Sequence, residues 1–327
     1  MVDDNLTLVV QDLKTYFFTT MGVVKAVDGV TFSINRGQVL GLVGESGCGK
    51  SVTGFSILGL VDSPGRVVGG RILFKGEDIV GLPEPQMQRF RGNRIAMIFQ
   101  DPMMTLNPVL RIDTQMTEAI RTHEKVSRDE AWRRSRDTLG RIGIPSPEAR
   151  LRAYPHQFSG GMRQRVSIAI ALLHKPDLII ADEPTTALDV TIQGQILYEV
   201  QKLCRETSTA LIWITHDLAV IAGLADTVCV MYAGKIVESG DVDPVLDAPL
   251  HPYTRGLIGS VPSQGHRGEP LPQIPGMTPS PLNLPEGCAF RPRCPRADGA
   301  CVAMPEVTSP LPGREVRCFH PHLRGAS

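Results

Sequence analysis

The eight residues GESGCGKS, Gly44 to Ser51, limit the folds open to this chain more than any other segment. They satisfy G-x-x-x-x-G-K-S/T at every position. The apolar run VLGLVG leads into them and a helix-like stretch, VTGFSILGLV, follows, so the strand–loop–helix setting that the pattern needs is present. Glycines let backbone N–H groups turn inward around phosphate oxygens, and a helix N-terminus adds partial positive charge. Lys50 is then expected to reach β and γ phosphates, and Ser51 to ligate Mg2+. The expected nucleotide-binding residues are Gly44, Glu45, Ser46, Gly47, Cys48, Gly49, Lys50, Ser51 and Val52. Cys48 has two readings. Lys50 and the helix N-terminus favour its thiolate; it is equally a small residue standing where serine would serve.

RIAMIFQ, DLIIADE, ALIWITHD and TVCVMYAG are further short apolar runs ending in polar residues. That is the pattern of an α/β sheet with its working groups at the carboxyl ends of strands. LTLVVQDLKTYF and VDGVTFSI alternate and read as strands with one buried face. Between Asn107 and Gln157 the spacing turns helical. SRDEAWRRSRDTLGRIGI opens on Ser127 with Glu130 three residues on, a capping-box pattern. Ala131, Thr138 and Ile142, with Trp132 and Leu139, recur at helical intervals. A helical subdomain inserted at about residues 105–160 is therefore expected.

DLIIADEP places Asp182 at the end of an apolar strand, suited to holding Mg2+ directly or through water. Glu183 is the candidate base that orients an attacking water. The 327 residues carry 34 basic and 34 acidic side chains, so no global field points to nucleic acid. No apolar run approaches the roughly 20 residues needed to span a bilayer. The N-terminus, MVDDNLTLVV, lacks the features of a secretory signal, and a cytosolic location is expected. In a reducing compartment, clustered cysteines favour a metal site over disulfides.

Further motifs complete a series. FSGGMRQR resembles the ABC signature through Ser159, Gly160 and Gly161, with Met162 where glutamine is commonest. IFQDP supplies Gln100 at the Q-loop position, ALD ends in Asp189 as a D-loop does, and ITHD supplies His216 as a switch histidine. Their order along residues 6 to 250 is also that of ABC-type ATPases, and the chain is identified as a member of that family. The resemblance implies a RecA-like α/β core, an antiparallel β subdomain and the inserted helical subdomain. It also implies an aromatic residue in LKTYFF stacking on adenine: Phe17 by spacing, with Tyr16 as runner-up. The family's signature contacts nucleotide held by the opposite subunit, so a second ATPase domain, a copy or a homologue, is implied.

From Pro244 onward proline is frequent, and a boundary falls near residue 250, dividing 1–250 from an extension at 251–327. A stretch such as PLPQIPGMTPSPLNLPEG excludes regular helix and central strand. Cys288, Cys294, Cys301 and Cys318 crowd into this tail with spacing C-x5-C-x6-C-x16-C. The spacing alone leaves zinc, an iron–sulfur cluster and free structural thiols open. Arg291, Arg293, Arg296 and Arg317 stand among them, placed to offset thiolate charge.

HPYTRGLIGSVP, IPG, GCAFRPRCPRA and CFHP resemble the C-terminal extension of ATPase subunits from dipeptide, oligopeptide and nickel importers, most closely the D-type subunits of bacterial dipeptide permeases. That resemblance implies a peripheral subunit on the cytoplasmic face of the inner membrane. It implies two permease subunits and an extracytoplasmic peptide-binding protein as partners, with di- or oligopeptides as cargo; nickel or another small solute is the alternative. It also implies a 4Fe-4S cluster on the four cysteines, zinc being the alternative. A soluble repair-type ABC protein would carry a long coiled coil, and no sustained heptad pattern occurs. A translation-type protein would carry two phosphate loops in one chain, and an exporter half would carry fused membrane spans. A scaffold with a dead site would lack some of Lys50, Asp182, Glu183 and His216.

Overall fold

The N-terminal alternation becomes two long strands in the computed structural model, β1 (Leu6–Thr19) and β2 (Gly22–Asn35). The structure describes residues 5–186, 189–261 and 273–323. β3 (Val39–Val43) is buried at all five positions, as an apolar strand covered on both faces must be. β4 (Gly65–Phe74) and β5 (Glu77–Asp78) follow, and then β6 (Ile95–Ile98), β7 (Leu178–Asp182) and β8 (Ala210–Thr215). The last strands are β9 (Thr227–Tyr232), β10 (Lys235–Asp241), β11 (Thr308–Leu311) and β12 (Arg314–Val316).

The described residues divide into two compact units. The first lies within Met1–Ile34, Val39–Val80 and Ile214–Ser327, the second within Asn35–Gln38 and Gly81–Trp213. The first unit holds a four-stranded sheet of order β2-β1-β4-β5, in which β4 runs antiparallel to both β1 and β5. It also holds the strand order β11-β12-β10-β9-β3, with β3 parallel to β9 and the remaining pairs antiparallel. This is the α/β cassette with an antiparallel β subdomain that the motifs imply.

The second unit holds β6 and β7 as a parallel pair, with the helices expected of the insertion. Helices Ile112–His123, Arg128–Arg141 and Pro147–Leu151 follow one another there. Ser127 caps the second of them, its hydroxyl accepting the Glu130 N–H at 3.1 Å. The Glu130 carboxylate sits 2.7 Å from Arg133. Ala131, Ser135 and Leu139, each four residues apart, form the buried stripe of that helix.

The tail contains more order than its proline content suggests. No regular helix or strand occurs over the described residues of the proline-rich stretch, 273–287. Beyond it, however, β12 pairs with β10, opposing Val316 to Glu238 and Glu315 to Ser239. Phe290 and Val316 are buried, and Phe290 lies edge-on to the rings of Tyr232 and Tyr253 at 5.3 and 5.4 Å. The tail therefore borrows the core of the first unit.

Glu238 fixes this arrangement. It is 0% exposed and accepts the N–H groups of Leu250 and His251, both at 2.8 Å. It also accepts from the Arg314 guanidinium, which donates in turn to the carbonyls of Pro244 and Ala248. Removing one partner of a buried ion pair leaves an uncompensated charge and costs about 3–5 kcal/mol. Glu238→Ala should lower unfolding stability by that order in urea titration, because two N–H groups and Arg314 are orphaned together. Glu238→Gln should cost less, since its amide oxygen still accepts.

Candidate functional site

The glycine loop joins β3 to the helix Lys50–Ile57. Gly49 caps that helix at φ 106°, and a Cβ there would stand 2.2 Å from the Ala26 carbonyl oxygen. Only glycine fits such a backbone. Ser46 and Gly47 form an exposed loop tip, while Ser51 and Val52 begin the helix half-buried. The buried Lys50 ammonium donates to the carbonyls of Gly44 at 2.8 Å and Glu45 at 3.0 Å. Its charge is thus held at the loop's mouth by two backbone carbonyls of the loop itself.

Cys48 does not fulfil the thiolate expectation. It is 1% exposed. Burial pushes its thiol up against the opposing pull of Lys50, whose ammonium lies 3.8 Å away. Desolvation outweighs the neighbouring charge. The thiol therefore serves as a small buried side chain.

On β1, Thr15, Tyr16 and Phe17 oppose Val67, Arg66 and Gly65 in turn, which puts Thr15 and Phe17 on one face. Thr15 hydrogen-bonds Ser56 of the phosphate-loop helix at 2.7 Å, so that face looks toward the loop's helix. A Cβ at Gly65 would come within 2.5 Å of the Phe17 ring, and glycine there leaves the ring its place. Tyr16 points the other way and donates to Asp28 at 2.6 Å. His216 is exposed after β8, beside the helix Leu218–Leu224 that Asp217 caps.

In the second unit, Asp182 is the buried last residue of β7. Glu183 follows with φ 44°, a left-handed backbone uncommon outside glycine. Its carboxylate accepts from Thr186 at 3.0 Å and from Gln100 at 3.4 Å. The candidate base and Gln100 are thus brought together, and Thr186 is a further partner of that carboxylate that the sequence did not single out. Ser159 caps the helix Gly160–Leu172 by accepting the Met162 N–H at 3.3 Å. Gly160 is exposed, and a Cβ on it would meet nothing within 4 Å. Gly161 and Met162 are half-buried. Asp189 is exposed, and its carbonyl accepts from Gln193 in the first turn of Val190–Thr207. Ala187 and Leu188 of the D-loop stretch lie outside the described residues.

In the tail, Cys288, Cys294, Cys301 and Cys318 line one cavity, and none is in a disulfide. Gly287, at φ 75°, lets the chain pass the Cys301 and Val302 carbonyls, and the Cys288 N–H donates to the Cys301 carbonyl at 3.1 Å. Burial pushes the Cys318 thiol up to about 11, with the other three cysteines acting in the same direction. A second grouping overlaps: ligand atoms of Asp298, Cys301 and His320 lie within 4.8 Å of one another.

Only part of the expected arginine set faces the cysteines. Arg291 lines the cavity, and Arg296, which also contacts His322 at 3.1 Å, opposes the burial of the Cys294 thiol with its charge. Arg317 donates to the Pro305 carbonyl at 3.2 Å. Arg293 turns to the phosphate loop, where it grips Glu45 through two nitrogens at 2.7 and 3.0 Å. Nothing in the local sequence signals this pairing across 248 residues.

A family model described as ABC transporter matches residues 27–186, and one described as Oligopeptide/dipeptide transporter, C-terminal region, matches residues 237–301. The oligopeptide transport ATP-binding protein OppD of Escherichia coli strain K12 is 48% identical over 95% of this chain and 92% of its own length. The dipeptide transport ATP-binding protein DppD of Bacillus subtilis strain 168 is 50% identical over 95% and 91%. Among solved structures, the dimeric ATP-binding cassette MJ0796 bound to ADP and Pi aligns at TM-score 0.65. It is 23% identical and covers 72% of this chain and 98% of its own, a likeness in fold.

The burial of Cys48 yields a direct expectation. At neutral pH a maleimide should label Cys48 much more slowly than free cysteine, as peptide mapping of the full chain would show. Rapid labelling there would mean that the loop opens.

Proposed function

The chain belongs to the family of ATP-binding subunits of oligopeptide and dipeptide ABC transporters, and on that footing we propose that it drives import of di- or oligopeptides through a membrane permease. It is an ABC-type ATPase. The observation that carries the cargo reading is that similarity to the peptide-transport proteins runs through the tail as well as the cassette.

In this reading the loop N–H groups and Lys50 hold the triphosphate, and Phe17 stacks on adenine, with Tyr16 as the weaker candidate. Ser51, Gln100 and Asp182 serve Mg2+, which when bound neutralises charge on the β and γ oxygens. Glu183 accepts the proton of the attacking water or orients it. Its hydrogen bonds from Gln100 and Thr186 support that role, since they aim the carboxylate before substrate arrives. His216 acts at the γ phosphate. Ser159, Gly160 and Gly161 meet nucleotide held by a second ATPase subunit, a homologue or a second copy, and Asp189 lies at that junction. The open N-terminus of the signature helix supports such an anion contact.

No helix among the described residues is long and apolar enough to cross a membrane. On the family footing we take the chain as a peripheral subunit on the cytoplasmic face, gripping two permease subunits, with an extracytoplasmic protein delivering peptide. We assign a 4Fe-4S cluster to the four cysteines: their free thiols line one cavity, together with His251, Phe290, Arg291, Pro305 and His320. Held there, a cluster would tie loops that have little core of their own. Zinc is the second reading, favoured by the Asp298–Cys301–His320 grouping.

Glu183→Gln should keep ATP binding and slow hydrolysis by roughly 100-fold or more, whereas Lys50→Ala should weaken binding itself. ATP affinity and turnover of the assembled transporter separate the two. Protein purified without oxygen should contain iron and acid-labile sulfide, with a broad visible absorbance. A colourless, folded, zinc-loaded protein would replace the cluster with a zinc clasp.

A further inference from the structure

Glu45 is the second residue of the phosphate loop, and a carboxylate there opposes the approach of a polyanion. The tail engages it from three directions. Arg293 forms the bidentate pair already described, and Thr278 donates to the same carboxylate at 3.0 Å. The Tyr253 hydroxyl accepts the Glu45 N–H at 2.9 Å. Arg293 is itself locked: it is 6% exposed and its Nε donates to the Pro275 carbonyl at 2.9 Å. It directly precedes Cys294 in the chain.

We propose that Arg293 is a positioning residue of the ATP site, neutralising and turning aside the Glu45 carboxylate so that the phosphate loop accepts a triphosphate. Two physical effects follow from losing it. A half-buried carboxylate would stand unpaired beside the incoming anion, where like charges repel strongly at low dielectric. It would also become free to pair with Lys50, whose ammonium already bonds the Glu45 carbonyl, and so compete with the phosphates for that cation. A fork that satisfies both carboxylate oxygens prevents both. Because the fork is anchored in the cysteine-bearing tail, nucleotide affinity becomes a readout of whether that tail is folded.

The proposal rests on the chain being an ATP-binding subunit, and a charge-rescue series tests it separately. ATP binding to the full chain is measured by calorimetry, KM and kcat in the assembled transporter, and thermal unfolding alongside. Arg293→Met should weaken ATP binding by about tenfold or more, raising KM with little change in kcat at saturating ATP. Adding Glu45→Gln to Arg293→Met should restore most of the lost affinity, although the tail contact is still absent. Arg293→Lys, which keeps the charge without the fork, should lose less than Arg293→Met. Equal weakness in the Met, Lys and double variants would reduce Arg293 to a structural tie and overturn the proposal. Wild-type affinity in Arg293→Met would also overturn it. Should Arg293→Met fail to fold, the Lys variant decides alone: a loss of tenfold or more would reject charge neutralisation. Failure of the unmodified chain to bind ATP would instead strike the family-based reading.

Discussion

At Gly44 and Gly49 the phosphate loop runs against two carbonyl oxygens, those of Met231 and Ala26. A Cβ at either glycine would stand 2.3 or 2.2 Å away. Those carbonyls belong to β9 and β2, so the loop is moulded by strands far from it in sequence. The Gly234 N–H adds a hydrogen bond to the Cys48 carbonyl at 2.9 Å. The position of Lys50, the start of its helix and the burial of Cys48 all follow from that fit. A loop so confined is already shaped for an anion before one arrives, which spares the ordering cost at binding.

Local chemistry was the legible part of this sequence. The glycine loop, the buried strands β3, β7 and β8, and the cap at Ser127 each depend on neighbours within a few residues. Periodicity and spacing carry such information directly. The converging cysteines were also visible, because four thiols in one short tail are unusual in a chain read as cytosolic. What escaped depended on partners distant in sequence. For Cys48 the sequence leaves a reactive reading open beside the bland one, because it shows Lys50 nearby and hides the burial around the thiol. Arg293 was assigned to the cysteines for the same reason, and its true neighbour lies 248 residues away. β12 is only three residues long, too short for alternation to mark it. It exists because β10 offers a free row of backbone groups.

Two buried charged pairs divide the work of attaching the tail. Glu238 with Arg314 is sealed from water, and its satisfied lone pairs make it a fixed joint. Glu45 with Arg293 is asymmetric: the arginine is buried while the carboxylate remains partly open. Burial pulls the Glu45 carboxyl up, but hydrogen bonds from Arg293 and Thr278, with the charges of Arg293 and Lys50, hold it below the usual range. One pair therefore anchors the tail in place, and the other extends its influence to the nucleotide.

The tail hairpin has a further effect on how the molecule meets its surroundings. β10 is seven residues long, and without β12 its backbone N–H and C=O groups would form an open border. Such a border templates strand addition from other chains. With the hairpin in place the border passes to β11, which is four residues long and carries Pro310. A short strand interrupted by proline is a poor template for self-association. The segment that carries the cysteines thus also acts as a guard strip, leaving a short, proline-bearing edge where β10 would otherwise present a longer one.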